Sequence, residues 1–307
     1  MKKKFLFISF IALFALFACE EDITLDLPVG EEQLVVEGFI ENGMPPIILL
    51  TKTMPYFAKT DINSFSEIYV AGAKMKVSDG SNSVDLMEIN FKTLPDSIAA
   101  FLSAFLQVPV EELRKLNLVL YTSIQMFGQE GKTYTLTIDK DSHHLKAVTT
   151  IPKIVVPDSV WIVPHTDKNN DSLKLVNMSI TDPKGDKNFY RYFTQRNNEG
   201  YFPNRFRSVF NDALVDGQNL IVPVVRGESR TSQFNQLTYG SFKKGDTVTI
   251  KLCAIDSKHY DFWSTFENSV SSGGPYAVPV QIKSNVDGGL GIWGGYGATY
   301  FEIVIPQ

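Results

Sequence analysis

Short segments that alternate apolar and polar residues recur along most of the chain. QLVVEGFIEN (33–42), GAKMKVSDGSNSVDLMEI (72–89) and GKTYTLTIDKDSHHLKAVTTIP (131–152) share this pattern. A period of two is typical of strands that bury one face, and a pair such as Asp79-Gly80 is typical of the tight turn between antiparallel strands. The pattern therefore predicts sheets built mainly from hairpins.

Residues 95–120, PDSIAAFLSAFLQVPVEELRKLNLVL, depart from this alternation. Pro95 and Pro109 each suit the first turn of a helix, and apolar residues in both pieces share a helical face. We expect a helical insertion here, which forms a lid, a partner-facing surface or a simple cap over an exposed core. HYDFWSTFENSV (259–270) is the one helix-compatible segment of the second half.

The segment IPKIVVPDSVWIV (151–163) separates two β-rich halves, because its two prolines favour a stiff, extended crossover. We therefore predict an all-β fold with two β-sandwich domains. The first, residues 33–152, is immunoglobulin- or transthyretin-like and carries the helical insertion at 95–120. The second, residues 153–307, is another antiparallel β-sandwich.

The amino-terminal residues have the pattern of a secretory signal. Lys2, Lys3 and Lys4 precede the apolar run FLFISFIALFALFA, which is too short for a stable membrane span, and Cys19 follows it. Leu16-Phe17-Ala18-Cys19 resembles a bacterial lipobox, so we predict a signal peptide over 1–18 and lipidation of Cys19. The alternative is an ordinary signal peptide with a cysteine near its cleavage site.

Acidic residues follow the cysteine directly. Glu20, Glu21 and Asp22 resemble the surface-export signal of Bacteroidota lipoproteins, and the alternative is a plain solvated tether. We expect residues 19–32 to form a lipidated acidic tether and the protein to lie on the surface of the outer membrane. The formal net charge is −5 and no basic patch is present, which argues against a nucleic-acid partner.

Gly289, Gly291 and Gly294 spell G-x-G-x-x-G, the spacing of a dinucleotide-binding loop. That loop must open a helix, whereas the residues that follow, ATYFEIVIPQ, alternate as a strand. We therefore predict a sharp, closely packed loop before the last strand. Neither an HExxH helix nor a G-x-S-x-G turn occurs, so we expect no cofactor, no metal and no enzymatic activity.

Several aromatic residues lie among polar or glycine-rich neighbours. Trp293 and Tyr296 are expected at the tip of the terminal glycine loop, and Trp263 and Tyr276 lie in HYDFW and GGPY. Such residues form stacking platforms for an oligosaccharide or peptide, or anchors for a protein interface. The alternative places each of them in the core beneath a loop.

Taken in order, the segments of the chain resemble a family of Bacteroidota lipoproteins known as domain of unknown function 4249. The matching pieces are Cys19 with its signal, LVVEGFI-x-N, AGAKMKVSDG, GKTYTLTI, IP-x-x-x-x-PDSV and SNVDGGLGIWGGY. The resemblance spans nearly all of the mature chain. It implies an outer-membrane lipoprotein encoded beside a TonB-dependent receptor, and it transfers no catalytic residues.

These observations together predict a non-catalytic surface lipoprotein that assists a TonB-dependent nutrient-uptake receptor by binding a ligand or docking on the receptor. The alternative is a structural or adhesive lipoprotein of the cell envelope. A third hypothesis, a hydrolase, requires clustered carboxylates or a Ser/His pair within hydrogen-bonding reach in a pocket.

Overall fold

The computed structural model describes residues 31–54, 68–96, 99, 110–115, 118–167, 170–185, 187–213, 217–229, 232–271 and 280–307. Strands dominate these residues, and the all-β fold class is confirmed. The predicted signal peptide, Cys19, the acidic residues Glu20–Asp22 and Tyr276 lie outside the described residues.

A nine-stranded sheet runs through the middle of the fold, and its strands come from both halves of the chain. Its order is β12 (Phe202–Pro203), β11 (Phe189–Arg196), β16 (Thr247–Ile255), β18 (Leu290–Val304), β1 (Leu34–Glu41), β2 (Ile47–Lys52), β6 (Val119–Thr122) and β5 (Met87–Asn90), and β13 (Val209–Asn211) also pairs with β11. Among the strand pairs of this sheet, β1 and β18 run parallel and the others antiparallel.

Two smaller antiparallel sheets accompany the large one. The first has the order β17 (Val286–Asp287), β8 (His143–Thr150), β7 (Thr133–Lys140), β3 (Lys74–Ser78) and β4 (Ser83–Asp85). The second has the order β14 (Asn219–Val224), β10 (Leu173–Thr181) and β15 (Phe242–Lys243), with β9 (Ser159–Pro164) also paired to β10. The predicted turn at Asp79-Gly80 is confirmed, since it joins β3 to β4 and Gly80 adopts a φ of 88°.

Both smaller sheets cover the same face of the large sheet. Buried residues of β1, β2 and β6 pack with those of the five-stranded sheet, and buried residues of β11 and β16 pack with those of the four-stranded sheet. Strand β18 contributes to both cores through Trp293 and Ile303. These two side chains project from the same side of the strand because their positions differ by an even number. The arrangement is a pair of sandwiches that share one sheet.

Two α-helices and a short 3-10 helix (Phe91–Thr93) have defined bounds in the described part of the chain. Helix α1 (Val110–Lys115) follows Pro109 as predicted, whereas Val119 and Leu120, expected to end the helical insertion, belong to β6. Much of the rest of that insertion lies outside the described residues. Helix α2 (Ser257–Ser271) confirms the helix predicted at 259–270. Within the described residues, no helix is long and apolar enough to cross a membrane.

The predicted loop is confined to Gly288 and Gly289, which turn the chain from β17 into β18, and it is wrong for Gly291 to Gly297, because these residues lie within β18. Their glycines instead allow backbones to approach closely. A Cβ on Gly291 would lie 1.9 Å from the carbonyl oxygen of Val36, and one on Gly294 would lie 2.3 Å from the His259 ring. Trp293 is fully buried beneath Gly38, and its Nε1 donates to the Tyr134 carbonyl at 3.1 Å.

Glu32–Gln307 form one compact unit. The large sheet crosses the predicted boundary between residues 152 and 153, since β18 lies between β16 and β1. The division into two domains stays a prediction about independent folding. What the structure shows is that the two halves share a sheet.

Replacing Gly291 with alanine tests the close approach of β1 and β18. We expect Gly291→Ala to lower the free energy of unfolding by roughly 3 kcal/mol or more, because it combines a φ of 107° with a clash against the Val36 carbonyl. Gly80→Ala is the matched control, since Gly80 also has a positive φ but has no atom within 4 Å of the added Cβ.

The free energy of unfolding of the Gly80→Ala control is expected to fall by about 1 kcal/mol, from backbone strain alone. Urea denaturation followed by circular dichroism measures both changes. Equal losses in the two variants would contradict a packing role for Gly291.

Candidate functional site

The second face of the large sheet carries an unusual set of side chains. Strand register places Arg191 beside Cys253 and Cys253 beside Ala298, and the next row runs from Phe193 through Lys251 to Tyr300. Tyr296 lies beside Glu41 on the neighbouring parallel strand. Charged, aromatic and small residues therefore alternate across the centre of this face.

Helix α2 packs over this face and is fixed at its first turn. Asp256 caps the helix, because its Oδ1 accepts from the His259 backbone N–H at 2.8 Å. The other carboxylate oxygen accepts from the Thr149 hydroxyl at 2.6 Å and the Thr150 N–H at 3.1 Å, at the end of β8. Tyr260 and Trp263 of the helix pack against a buried cluster on the sheet.

A cavity of about 670 Å³ lies between α2 and the sheet. Its volume falls within the range typical of small-molecule binding sites. Aromatic rings form a large part of its wall, and they are those of Phe39, Phe193, Tyr201, Phe202, Phe262, Trp263, Phe266 and Tyr296. The polar side chains in the wall are few and include Arg191, Lys251 and Glu37.

Arg191 is a buried cation in the wall of this cavity, with only 3% of its surface exposed. Its Nη1 donates to the Tyr296 hydroxyl at 2.8 Å, and its Nε donates to the Ser208 hydroxyl at 3.0 Å. The guanidinium carbon lies 3.5 Å from the ring centroid of Trp263 and 4.7 Å from that of Phe193. Two hydrogen bonds and two rings therefore fix the orientation of the guanidinium group.

The buried carboxylate of Glu267 balances this cation through Ser208. The Ser208 backbone N–H donates to Glu267 at 2.9 Å, and the Ser208 hydroxyl donates to the other carboxylate oxygen. The serine therefore connects the cation and the anion without a direct ion pair. Removing either charge would leave the other buried and uncompensated, which is strongly destabilising.

Lys251 and Glu41 form a second buried pair at the edge of the cavity. The Tyr300 hydroxyl also donates to Glu41. The Lys251 ammonium lies 5.6 Å from the ring centroids of Phe193 and Tyr296, so aromatic faces shield the ion pair. This lysine is therefore already neutralised within the protein.

Burial keeps three further titratable groups on this side of the sheet neutral near pH 7, namely His259, Tyr296 and Cys253. Desolvation lowers the pKa of His259 to about 4, although Asp256 opposes the shift. Desolvation also raises the pKa of Tyr296 to about 12, against the effect of Arg191. It raises the pKa of the Cys253 thiol to about 12 as well, so this thiol is not ionised at neutral pH.

Only part of the predicted aromatic set comes together. Tyr296 and Trp263 both line the cavity and both contact Arg191. Trp293 projects from the opposite face of the sheet into the core, and Tyr296 lies within a strand rather than a loop. Arg191, Lys251 and Glu41 were not among the predicted site residues, although a charged residue inside an alternating apolar strand such as NFYRYF is a detectable signal.

Metal-binding groups are not evident in this site. Among the described residues, no group of three or more His, Cys, Asp or Glu side chains is arranged to hold a metal ion. Among the described residues, the carboxylates that line the cavity are those of Glu37 and Glu228, and Glu228 lies 3.3 Å from Arg226 Nη1.

Comparison with known protein families places the whole site within one family match. The family described as Domain of unknown function (DUF4249) matches residues 20–301. The chain belongs to this family. The DUF4249 match begins next to Cys19, ends within β18, and contains every residue of the cavity. A search of curated proteins finds no match.

The buried His259 predicts a specific dependence of stability on pH. Its folded pKa, about 4, lies below its ordinary value of 6.5, so the unfolded state binds the proton more readily. The stabilising contribution is therefore complete above pH 6.5 and is lost as the pH falls towards 4. We expect the free energy of unfolding to drop by up to about 3 kcal/mol across this window.

Urea titrations at a series of pH values between 7 and 4 measure this loss in the wild type and in His259→Gln. The variant is expected to show a shallower pH dependence, whatever its absolute stability. His143→Gln serves as the control, since His143 is exposed. If the free energy of unfolding of His259→Gln depends on pH as steeply as that of the wild type, other groups cause the pH dependence.

Proposed function

We propose that the protein is a non-catalytic surface lipoprotein of the outer membrane that binds a small organic ligand in its aromatic cavity and assists a TonB-dependent nutrient-uptake receptor. The observation that carries the ligand-binding part is the cavity of about 670 Å³ between α2 and the large sheet. Aromatic walls with a few fixed polar groups are typical of binding sites for small organic molecules.

The chemistry of the cavity supports binding rather than catalysis. The imidazole of His259 and the phenol of Tyr296, which line the cavity, are neutral near pH 7. A general base needs a pKa near the working pH, and His259 with a pKa of about 4 is a weak base. Oligosaccharides and peptides are the ligands first expected from the sequence.

The amino-terminal sequence supports the membrane location. Cys19 follows a basic and apolar signal, and Glu20, Glu21 and Asp22 follow Cys19. More than one acyl chain on Cys19 would give stable attachment, whereas a single chain binds membranes only marginally. The acidic residues would then favour export to the cell surface.

An exposed aromatic cluster supports the alternative of an adhesive envelope protein. Phe206 and Phe234 are 45% and 41% exposed, and their rings contact each other in the loops beside β12 and β15. Leu237, 80% exposed, lies in the same loop as Phe234. Deletion of the gene would then change surface adhesion without impairing growth on any particular nutrient.

Replacing the two cysteines separately tests the anchor. We expect Cys19→Ala to abolish incorporation of a labelled fatty acid and to release the protein from the membrane fraction. Cys253→Ala is the matched control and should keep both label and membrane attachment, because Cys253 is a buried free thiol. Labelling of Cys19→Ala at the wild-type level would refute lipidation at this residue.

Co-purification tests the receptor partnership. Pull-down of the lipidated protein from detergent extracts is expected to recover a large β-barrel receptor, identified by mass spectrometry. A strain that expresses Cys19→Ala supplies the control, since its protein should not reach the receptor at the membrane. Recovery of the lipoprotein alone, under conditions that preserve known receptor complexes, would count against docking.

A further inference from the structure

We propose that the cavity takes a flat, apolar molecule with a single carboxylate, and that Arg191 and Tyr296 bind this carboxylate. The inference rests on the proposed ligand-binding function and names the class of ligand. It follows from the free donors of the site, the nature of its walls and its balance of charge.

The Arg191 guanidinium group has hydrogen-bond donors that are not used by other residues of the described part of the chain. A guanidinium group has five N–H donors, and two of them are used by Tyr296 and Ser208. Among the described residues, the Nη2 atom has no hydrogen-bond partner. Since Arg191 lines the cavity, these N–H groups are available to a ligand there.

Tyr296 supplies a further donor next to the guanidinium. Its hydroxyl oxygen accepts from Arg191 Nη1 at 2.8 Å, and its own hydrogen has no acceptor among the described residues. Because burial keeps this phenol protonated, the hydrogen is available to an anion. A carboxylate placed here accepts from a planar guanidinium and from a neutral hydroxyl, which are strong, directional donors.

The walls favour a flat body on the ligand. Phe39, Phe202 and Phe266 line the cavity together with Trp263. Aromatic faces and edges pack best against planar groups, with ring centroids about 4.5–7 Å apart. The guanidinium already occupies one face of Trp263, so the ligand is expected to contact the other rings.

The charge balance favours one negative charge rather than two. Within the described residues, Lys251 pairs directly with Glu41, whereas Arg191 reaches Glu267 only through Ser208. Glu37 and Glu228 also line the cavity, and they repel a doubly charged group more strongly than a singly charged one. A phosphate monoester is therefore a poorer fit than a carboxylate.

Three probes with the same ring system test this proposal. Isothermal titration calorimetry of the full chain, with detergent-matched blanks, measures binding of 2-naphthoate, 2-naphthamide and 2-naphthyl phosphate. We expect naphthoate to bind at least about five-fold more tightly than the amide, because its hydrogen bonds are charge-assisted. The phosphate is expected to bind more weakly than naphthoate.

Two variants assign the effect to the proposed donors. Tyr296→Phe removes only a hydroxyl. It is expected to lower the affinity for naphthoate by about five-fold and to leave the affinity for the amide nearly unchanged. Arg191→Lys keeps the positive charge but loses the planar set of guanidinium donors. It is therefore expected to lower the affinity for naphthoate about ten-fold or more. Circular dichroism checks the fold, and Tyr296→Phe remains informative if Arg191→Lys does not fold.

Tyr190→Phe is the matched control. Tyr190 lies on the same strand as Arg191, but its hydroxyl donates to Asp182 and the residue is not part of the cavity wall. Equal affinity for naphthoate and the amide, or tighter binding of the phosphate, would overturn the carboxylate assignment and leave ligand binding intact. Binding of none of the probes at millimolar concentration would contradict the ligand-binding function itself.

Discussion

The close approach of β18 to its neighbours is the constraint on which the rest of the structure depends. Side chains at Gly291, Gly294 or Gly295 would collide with Val36, His259 or Thr150. With glycine at these positions, one strand pairs with β1 and β16, supports both cores and presents Tyr296 to the cavity. This single glycine-rich strand therefore determines the shared sheet, the position of α2 and the shape of the site.

The second constraint is electrostatic. The Arg191 cation and the carboxylates of Glu41 and Glu267 are buried, and Lys251 is largely buried, so desolvation opposes every charge. Ser208 and two tyrosine hydroxyls distribute these charges over hydrogen bonds, and aromatic faces cover them. The same network orients Arg191 before any ligand arrives, so little conformational entropy is lost on binding.

The sequence predicts local structure here better than it predicts the site. Alternation in LVVEGFIE identified β1, and the pattern of HYDFWSTFENSV identified α2, because burial of one face leaves a periodic trace. The shared sheet was not predicted, since pairing between β1 and β18 depends on residues far apart in the chain. The terminal glycines were assigned to a loop because local propensity favours turns, whereas close packing decides their conformation. Arg191 was overlooked because its partners come from three separate elements.

The parallel pairing of β1 with β18 also determines when the protein can finish folding. Asn42, directly after β1, hydrogen-bonds to Ala298, which lies 256 positions along the chain. The central sheet therefore stays open while the ribosome completes the polypeptide, and such non-local pairing forms slowly. Until β18 is present, β1 and β16 each lack one of their strand partners, so the gap between the two halves of the sheet stays open.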